Sequence, residues 1–258
     1  MVDVATDWRM ALDLVYFAGK AGYPDLDAWQ RQTLDAKPRR LLLNCARQSG
    51  KSLLASLLAV HQAIYEPGSL VVVGAVAQRQ SAETIRVCRD LYAALGRPVP
   101  AESENKLSLE LDNRSRIVSI PATEATVRGL SKVGLLILDE ASRIPDAFYG
   151  AVLPFLAVSN GTLALLSTPF GCRGFFFDAY QHRHEWFYRE VPATACKRIP
   201  PEFLAEQRRK TGEWFYKQEW ECQFNDSVTG AFRSDDIDSS VQEYKTWDLS
   251  RFAGKWNA

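Results

Sequence analysis

Two stretches far apart in the chain carry residue types that do chemistry together. The first is Cys45-Ala46-Arg47-Gln48-Ser49-Gly50-Lys51-Ser52, which follows the apolar run Leu41-Leu42-Leu43-Asn44 and precedes Leu53-Leu54-Ala55-Ser56-Leu57-Leu58. A strand, a turn and a helix in that order converge backbone N–H groups on a polyphosphate, where the helix dipole also favours negative charge. Ala46, Arg47, Gln48 and Ser49 then make the turn and Gly50 lets the main chain come close. Lys51 reaches the terminal phosphates, and the Ser52 hydroxyl is placed to ligate Mg²⁺. Cys45 stands where the G-x-x-x-x-G-K-[ST] pattern has its first glycine, so the loop alone also fits an ordinary strand–turn–helix.

The second stretch, Leu135-Leu136-Ile137-Leu138-Asp139-Glu140, supplies what the loop lacks. A carboxylate at a strand end beside the loop can hold the Mg²⁺ shell, the role expected of Asp139. Glu140 is then placed to orient or deprotonate the attacking water. Alone, this run also reads as a strand meeting a polar loop. The ordered pair points to hydrolysis of a nucleoside triphosphate, with ATP and Mg²⁺ as the expected ligands.

Further candidates gain meaning beside that pair. Ser167-Thr168-Pro169 ends the strand expected next to the Asp-Glu strand, where a hydroxyl can sense the γ-phosphate and pass its presence onward; Pro169 also reads as a plain strand stop. Arg128-Gly129 precedes the Asp-Glu strand, and a mobile Arg128 could stabilise charge on the transferring phosphoryl group or simply be a solvated arginine. Arg47 either touches phosphates or pairs with an acid in a nucleotide-dependent way. Trp29-Gln30 offers an aromatic face and a bidentate amide for an adenine ring, although Trp29 reads equally as core. His61, His182 and His184 form no metal-ligand pattern with the cysteines, and His61 is expected to be structural.

The elements that must position these groups alternate. An amphipathic helix is expected over Val4 to Ala18, from Trp8, Leu12, Val15 and Tyr16, and a second starts with Asp27 as its N-cap. Apolar runs at Leu70–Val73, Gly134–Leu138 and Thr162–Leu166 read as strands buried on both faces. A helix is expected from Arg79 to Leu95 and a β-hairpin, placed at a sheet edge, from Lys106 to Ile120. Pro145 to Leu156 reads as helical. Strands alternating with helices imply an α/β fold with a mostly parallel central sheet flanked by helices, and Lys51, Asp139 and Ser167 fall at carboxyl ends of its strands. Residues 196–232 are rich in charge and helix signal, and residues 233–258 show little periodicity and read as a tail that is partly disordered.

Composition narrows the classes. The chain has 258 residues, 47% of them hydrophobic, enough for one large core. Its formal net charge is zero, so any nucleic-acid contact must come from local basic patches. Five cysteines without C-x-x-C spacing fit a reducing compartment. No apolar run reaches the roughly 18 residues of a membrane span, so no membrane partner is expected.

Taken in order, these motifs resemble those of phage large terminase subunits, the DNA-packaging motors. Ala46 to Ser52 is similar to their arginine-bearing Walker A loop, Leu135 to Glu140 to Walker B with the catalytic glutamate, and Ser167-Thr168-Pro169 to the coupling motif. Trp220-Glu221-Cys222-Gln223-Phe224-Asn225-Asp226 is similar to the segment that closes their ATPase region. The resemblance implies an ASCE-type P-loop ATPase core over residues 1–195 and a small helical lid over 196–232. Large terminases normally continue into a nuclease domain, but only about 30 residues follow the closing segment here, too few for one, so none is expected in this chain. The resemblance also implies a homo-oligomeric ring that is monomeric in isolation, with portal, small terminase subunit and double-stranded DNA as partners, in the bacterial host cytoplasm. On that model Trp29 and Gln30 contact adenine and Arg128 is a finger into the neighbouring subunit. A helicase-like DNA translocase and a truncated prophage remnant with little turnover are the rival readings.

Overall fold

Apolar runs build the middle of one sheet. The structure is a computed structural model in which residues 3–123 and 130–225 are described. In chain order these residues form α1 (Val4–Leu12), α2 (Leu14–Lys20), α3 (Ala28–Ala36), β1 (Arg40–Cys45), α4 (Lys51–Tyr65), β2 (Leu70–Ala75) and α5 (Gln78–Ala94). Next come β3 (Ala101–Glu104), β4 (Ser108–Leu111), β5 (Arg116–Pro121), β6 (Val133–Asp139), α6 (Asp146–Val152) and β7 (Thr162–Ser167). The series closes with α7 (Gly174–Gln181), β8 (Phe187–Val191), α8 (Pro201–Thr211) and α9 (Glu213–Trp220).

The strands lie in the order β3-β4-β5-β2-β6-β7-β1-β8. Every pairing from β5 to β8 is parallel, and only β3–β4 and β4–β5 are antiparallel. β7 sits between β1 and β6, with Asn44 opposite Ser167 and Leu166 opposite Asp139. The strand bearing Ser167 therefore separates the loop after β1 from the acids after β6, and all three ends open on the same edge. That edge is where parallel α/β sheets place their ligands.

Successive strand residues face opposite sides, and the core divides accordingly. Leu41, Leu43, Val71, Val73, Leu135 and Ile137 pack with Phe17, Leu54, Leu57, Ile85 and Leu91 on one face. Leu42, Val72, Leu136, Leu138, Leu163 and Leu165 pack with Phe148, Val152, Phe175 and Phe176 on the other. Both faces being dry, these strands show no polar alternation. Each fully buried leucine contributes roughly 1.5–3 kcal/mol, so the helices on both faces hold the strand ends firmly. α8 and α9 rest on a third, smaller cluster in which Leu204, Tyr216, Trp220 and Cys222 meet Ala46 and Ala193. The chain turns between these two helices at Gly212, whose φ of +78° suits a residue without Cβ.

The N-terminal helix and the hairpin differ from expectation. The N-terminal helix is two helices, because the Asp13 side chain accepts from Tyr16 N and restarts the chain as α2. Its buried residues are Met10, Leu14, Phe17 and Ala18, whereas Trp8 and Leu12 lie exposed. The hairpin forms but is not the edge: β5 pairs with β2, and β3 takes the outer position. The residues of the expected tail, and Arg128, lie outside the described residues.

Candidate active site

The loop after β1 leads directly into α4. Cys45 ends the strand in full burial, which pushes its thiol up to about 12 and removes it as a nucleophile at neutral pH. Gln48 (φ 60°) and Gly50 (φ 91°) take left-handed conformations that curl the main chain. Ala46 N donates to Val191 O and Arg47 N to Glu219 O. Among the described residues, the N–H groups of Gln48, Ser49, Gly50, Lys51 and Ser52 meet no protein acceptor, and the buried Ser49 hydroxyl has no partner. Five donors in a row at the start of the 15-residue α4 form the concave positive surface that a polyphosphate fits.

Opposite them stand the acids. Ser52 Oγ donates to Asp139 Oδ2 at 3.0 Å, and Lys51 Nζ lies 3.0 Å from Glu140 Oε1. Asp139 is buried, and its other oxygen accepts from Glu140 N at 3.0 Å. Burial raises the Asp139 carboxyl above its usual range, partly countered by the Lys51 ammonium. For Lys51, burial works against the charged form, but the Glu140 and Asp139 carboxylates outweigh it and hold the ammonium above its usual value. Glu140 has φ 55°, a left-handed conformation that costs a non-glycine residue of the order of 1 kcal/mol or more. That turn directs its carboxylate back to Lys51.

A Mg²⁺ ion fits this donor set. Among the described residues no group of three or more His, Cys, Asp or Glu could cage a metal alone. One hydroxyl and one carboxylate in mutual contact suit Mg²⁺, which keeps waters and takes its remaining oxygens from substrate phosphates.

Ser167 and Thr168 are buried beside this centre. Ser142, two residues beyond Glu140, bridges them: its hydroxyl lies 2.7 Å from Ser167 Oγ and donates to Thr168 O at 2.8 Å. The turn after the acids is thus fastened to the end of β7. Gln30 caps α3 through Asp27 N and donates to Gly50 O at 3.3 Å, tying the N-terminal region to the phosphate loop. Trp29 is buried in the core cluster, its indole N–H without a partner among the described residues. His61 is structural, with Nε2 at 3.2 and 3.1 Å from Met10 O and Ala11 O. A cavity of about 520 Å³ lined by His61, Gly134 and Thr162 opens at the amino-terminal end of the strands, away from Lys51 and Asp139.

Comparison with known proteins follows the same lines. A large terminase subunit of Thermus virus P23-45 is 25% identical over 201 residues, which cover 70% of this chain and 41% of that protein. The chain therefore spans less than half the length of this relative. The large-terminase ATPase domain of Thermus phage P74-26 superposes with a TM-score of 0.72 at 21% identity, covering 81% of this chain and 97% of that domain. The fold is that of a large-terminase ATPase domain. The large terminase of a thermophilic bacteriophage, solved in complex with ADP, gives a TM-score of 0.61 at 10% identity over 80% of this chain and 52% of its own. No protein-family model matches the chain.

Within this terminase-type fold, four residues at the site escaped the sequence reading. Arg198 bonds Ser49 O and pairs with Asp27 at 2.8 Å, closing over the phosphate loop beside Gln30. Arg143 and Glu219 form a group with Arg47, and Ser142 fastens β7. Most of these contacts join residues some 150 or more positions apart in sequence, and no local pattern announces them. Ser142 was closer to hand, lying just past the Asp-Glu pair.

Proposed function

We propose that this chain is the ATP-hydrolysing motor domain of a terminase large subunit, coupling turnover to translocation of double-stranded DNA into a procapsid. The observation that carries the reading is the paired contact Ser52–Asp139 and Lys51–Glu140 beneath five unpartnered N–H groups. Ser52 and Asp139 would hold a Mg²⁺ ion, which when bound would supply charge neutralisation to the substrate phosphates. Lys51 turns from Glu140 to the terminal phosphate. Glu140, so released, takes the proton of the attacking water. Ser167 and Thr168 pass the change through Ser142 to the turn beyond the acids. Trp29 and Gln30 contact the adenine end.

Residues 196–232 act as the lid, and Arg128 completes the site of a neighbouring subunit in a ring assembled with portal and small terminase subunit in the host cytoplasm. The likeness in fold to terminase ATPase domains and the sequence match to a terminase large subunit support this reading. Among the described residues no helix is long and apolar enough to cross a membrane. The test is phosphate release from ATP at rising protein concentration, with and without Mg²⁺ and double-stranded DNA. Activity that needs Mg²⁺, rises more than linearly with concentration and disappears in Lys51→Ala and Arg128→Ala is expected. Phosphate release that survives Lys51→Ala, or none at any concentration, refutes the motor reading.

A further inference from the structure

The N–H groups of the phosphate loop converge only while the peptide planes that carry them are held. In a trans peptide the C=O and the following N–H point in opposite directions, so whatever grips a carbonyl aims the next amide. Gly50 O accepts from Leu54 N at 3.2 Å and from Gln30 Nε2 at 3.3 Å, which turns the Lys51 N–H into the concave surface. Ser49 O, one plane earlier, takes no backbone N–H among the described residues. Its donor is Arg198 Nη2, with Cys196 Sγ 4.0 Å away. The residue that follows is Gly50, at φ +91°, and glycine accepts either sign of φ at little cost. No backbone bond at Ser49 O therefore stops the Ser49–Gly50 plane from turning over, which would aim an acceptor at the phosphates. Arg198 is itself fixed, since its Nη1 donates to Oδ2 of the buried Asp27 at 2.8 Å, and Asp27 N donates to Gln30 Oε1 at 3.0 Å. It lies in the link between β8 and α8 with its side chain 46% exposed.

We propose that Arg198 is a positioning residue that locks the Ser49–Gly50 peptide plane, carbonyl outward and Gly50 N–H inward, so that the free protein meets a polyphosphate with its donors already aligned. This rests on the nucleotide-binding reading above. Aligned N–H dipoles repel one another until an anion arrives, so an unlocked plane relaxes by turning over in the free loop. Binding must then reverse that turn. The cost falls on the phosphate part of the ligand and is the same with or without a base, as for any lost preorganisation. Arg198 is half-exposed, so its removal leaves the fold nearly as stable as before.

The test is calorimetric titration of Arg198→Ala, in the full chain, with Mg²⁺–AMP-PNP and with Mg²⁺–tripolyphosphate, which has the phosphates but neither base nor sugar. Both are expected to bind about tenfold more weakly than to the parent, by the same factor and with the urea midpoint unchanged. A loss confined to AMP-PNP overturns the proposal, because Arg198 would then touch base or ribose, and so do unchanged affinities. The plane also has its own spectroscopic signature. Ser49–Gly50 is the one Ser–Gly pair in the sequence, so cell-free protein made with carbonyl-¹³C serine and ¹⁵N glycine gives a single carbonyl–amide correlation. Without ligand the parent is expected to show one sharp signal, and Arg198→Ala two signals or one broadened by exchange. An equally sharp single signal in the free variant overturns the lock. If Arg198→Ala does not fold, Asp27→Ala, which frees the other end of Arg198, decides: tripolyphosphate bound at least threefold more weakly supports the lock, and parent affinity overturns it. An unaltered protein that binds neither ligand refutes the nucleotide reading itself; binding that the variants leave unchanged removes Arg198 alone.

Discussion

Replacing Glu140 by glutamine separates the two duties that the structure gives this residue. In the nucleotide-free protein its carboxylate holds Lys51 at 3.0 Å, and that pair must break before Lys51 can serve a phosphate. At an effective dielectric of about 20 the attraction at this distance is roughly 5 kcal/mol, most of it offset by dehydration of both groups, leaving on the order of 1 kcal/mol. Asp139 remains to neutralise Lys51, so the ammonium keeps its charge. Nucleotide affinity in Glu140→Gln is therefore expected to rise about fivefold. Losing a general base lowers turnover by about 10²–10⁴, or roughly 3–5 kcal/mol in the barrier. Calorimetric titration with Mg²⁺–AMP-PNP and single-turnover hydrolysis of ATP measure the two effects separately. Affinity that falls in parallel with turnover would refute the reasoning, because it would make Glu140 part of the binding surface rather than a competitor for Lys51.

Other consequences can be checked alongside. Asp139→Asn is expected to leave the free protein as stable as the parent or slightly more so, because burial already raises that carboxyl; urea midpoints and Mn²⁺–ATP binding followed by electron paramagnetic resonance should show stability kept and metal lost. Gly50→Ala is expected to cost affinity at least tenfold, since a Cβ there would lie 2.6 Å from Arg198 Nη2 and 2.9 Å from Gln30 Nε2 at a φ of +91°; wild-type affinity would show that neither residue constrains the loop. His61, held down to about 4 by burial, is neutral in the fold, whereas the unfolded chain takes up its proton near 6.5. Protons therefore favour the unfolded chain, and its contribution, roughly 3 kcal/mol, is complete above pH 6.5 and lost as pH falls towards 4. Urea midpoints of the parent and His61→Gln over that range should converge on acidification, and parallel curves would exclude the effect.

How much was legible in the chain follows from where each group draws its partners. The central strands could be read because both their faces are dry, which makes Leu41–Leu43, Leu70–Val73 and Leu135–Leu138 uninterrupted. Strand ends then placed Lys51, Asp139 and Ser167 on one edge. β8 was missed because Phe187-Tyr188-Arg189-Glu190-Val191 forms an outer strand that mixes aromatic and charged residues and follows no period. The N-terminal helix was assigned its face from Trp8 and Leu12, yet the interruption at Asp13 resets the helical phase, and Leu14, Phe17 and Ala18 go inward. At the site, Lys51 and Ser52 were singled out by motif spacing and Gln30 only by its pairing with Trp29, whereas Glu219 and Arg198 draw their partners from across the fold, which only the tertiary structure reveals.

The most direct measurement of the central claim is a calorimetric titration of the chain with AMP-PNP, with and without Mg²⁺, in the parent, Lys51→Ala and Asp139→Asn. One nucleotide per chain is expected, with Mg²⁺ strengthening binding in the parent, little nucleotide bound by Lys51→Ala, and no Mg²⁺ effect in Asp139→Asn. Binding that is indifferent to both substitutions would contradict a site built where β1, β6 and β7 end.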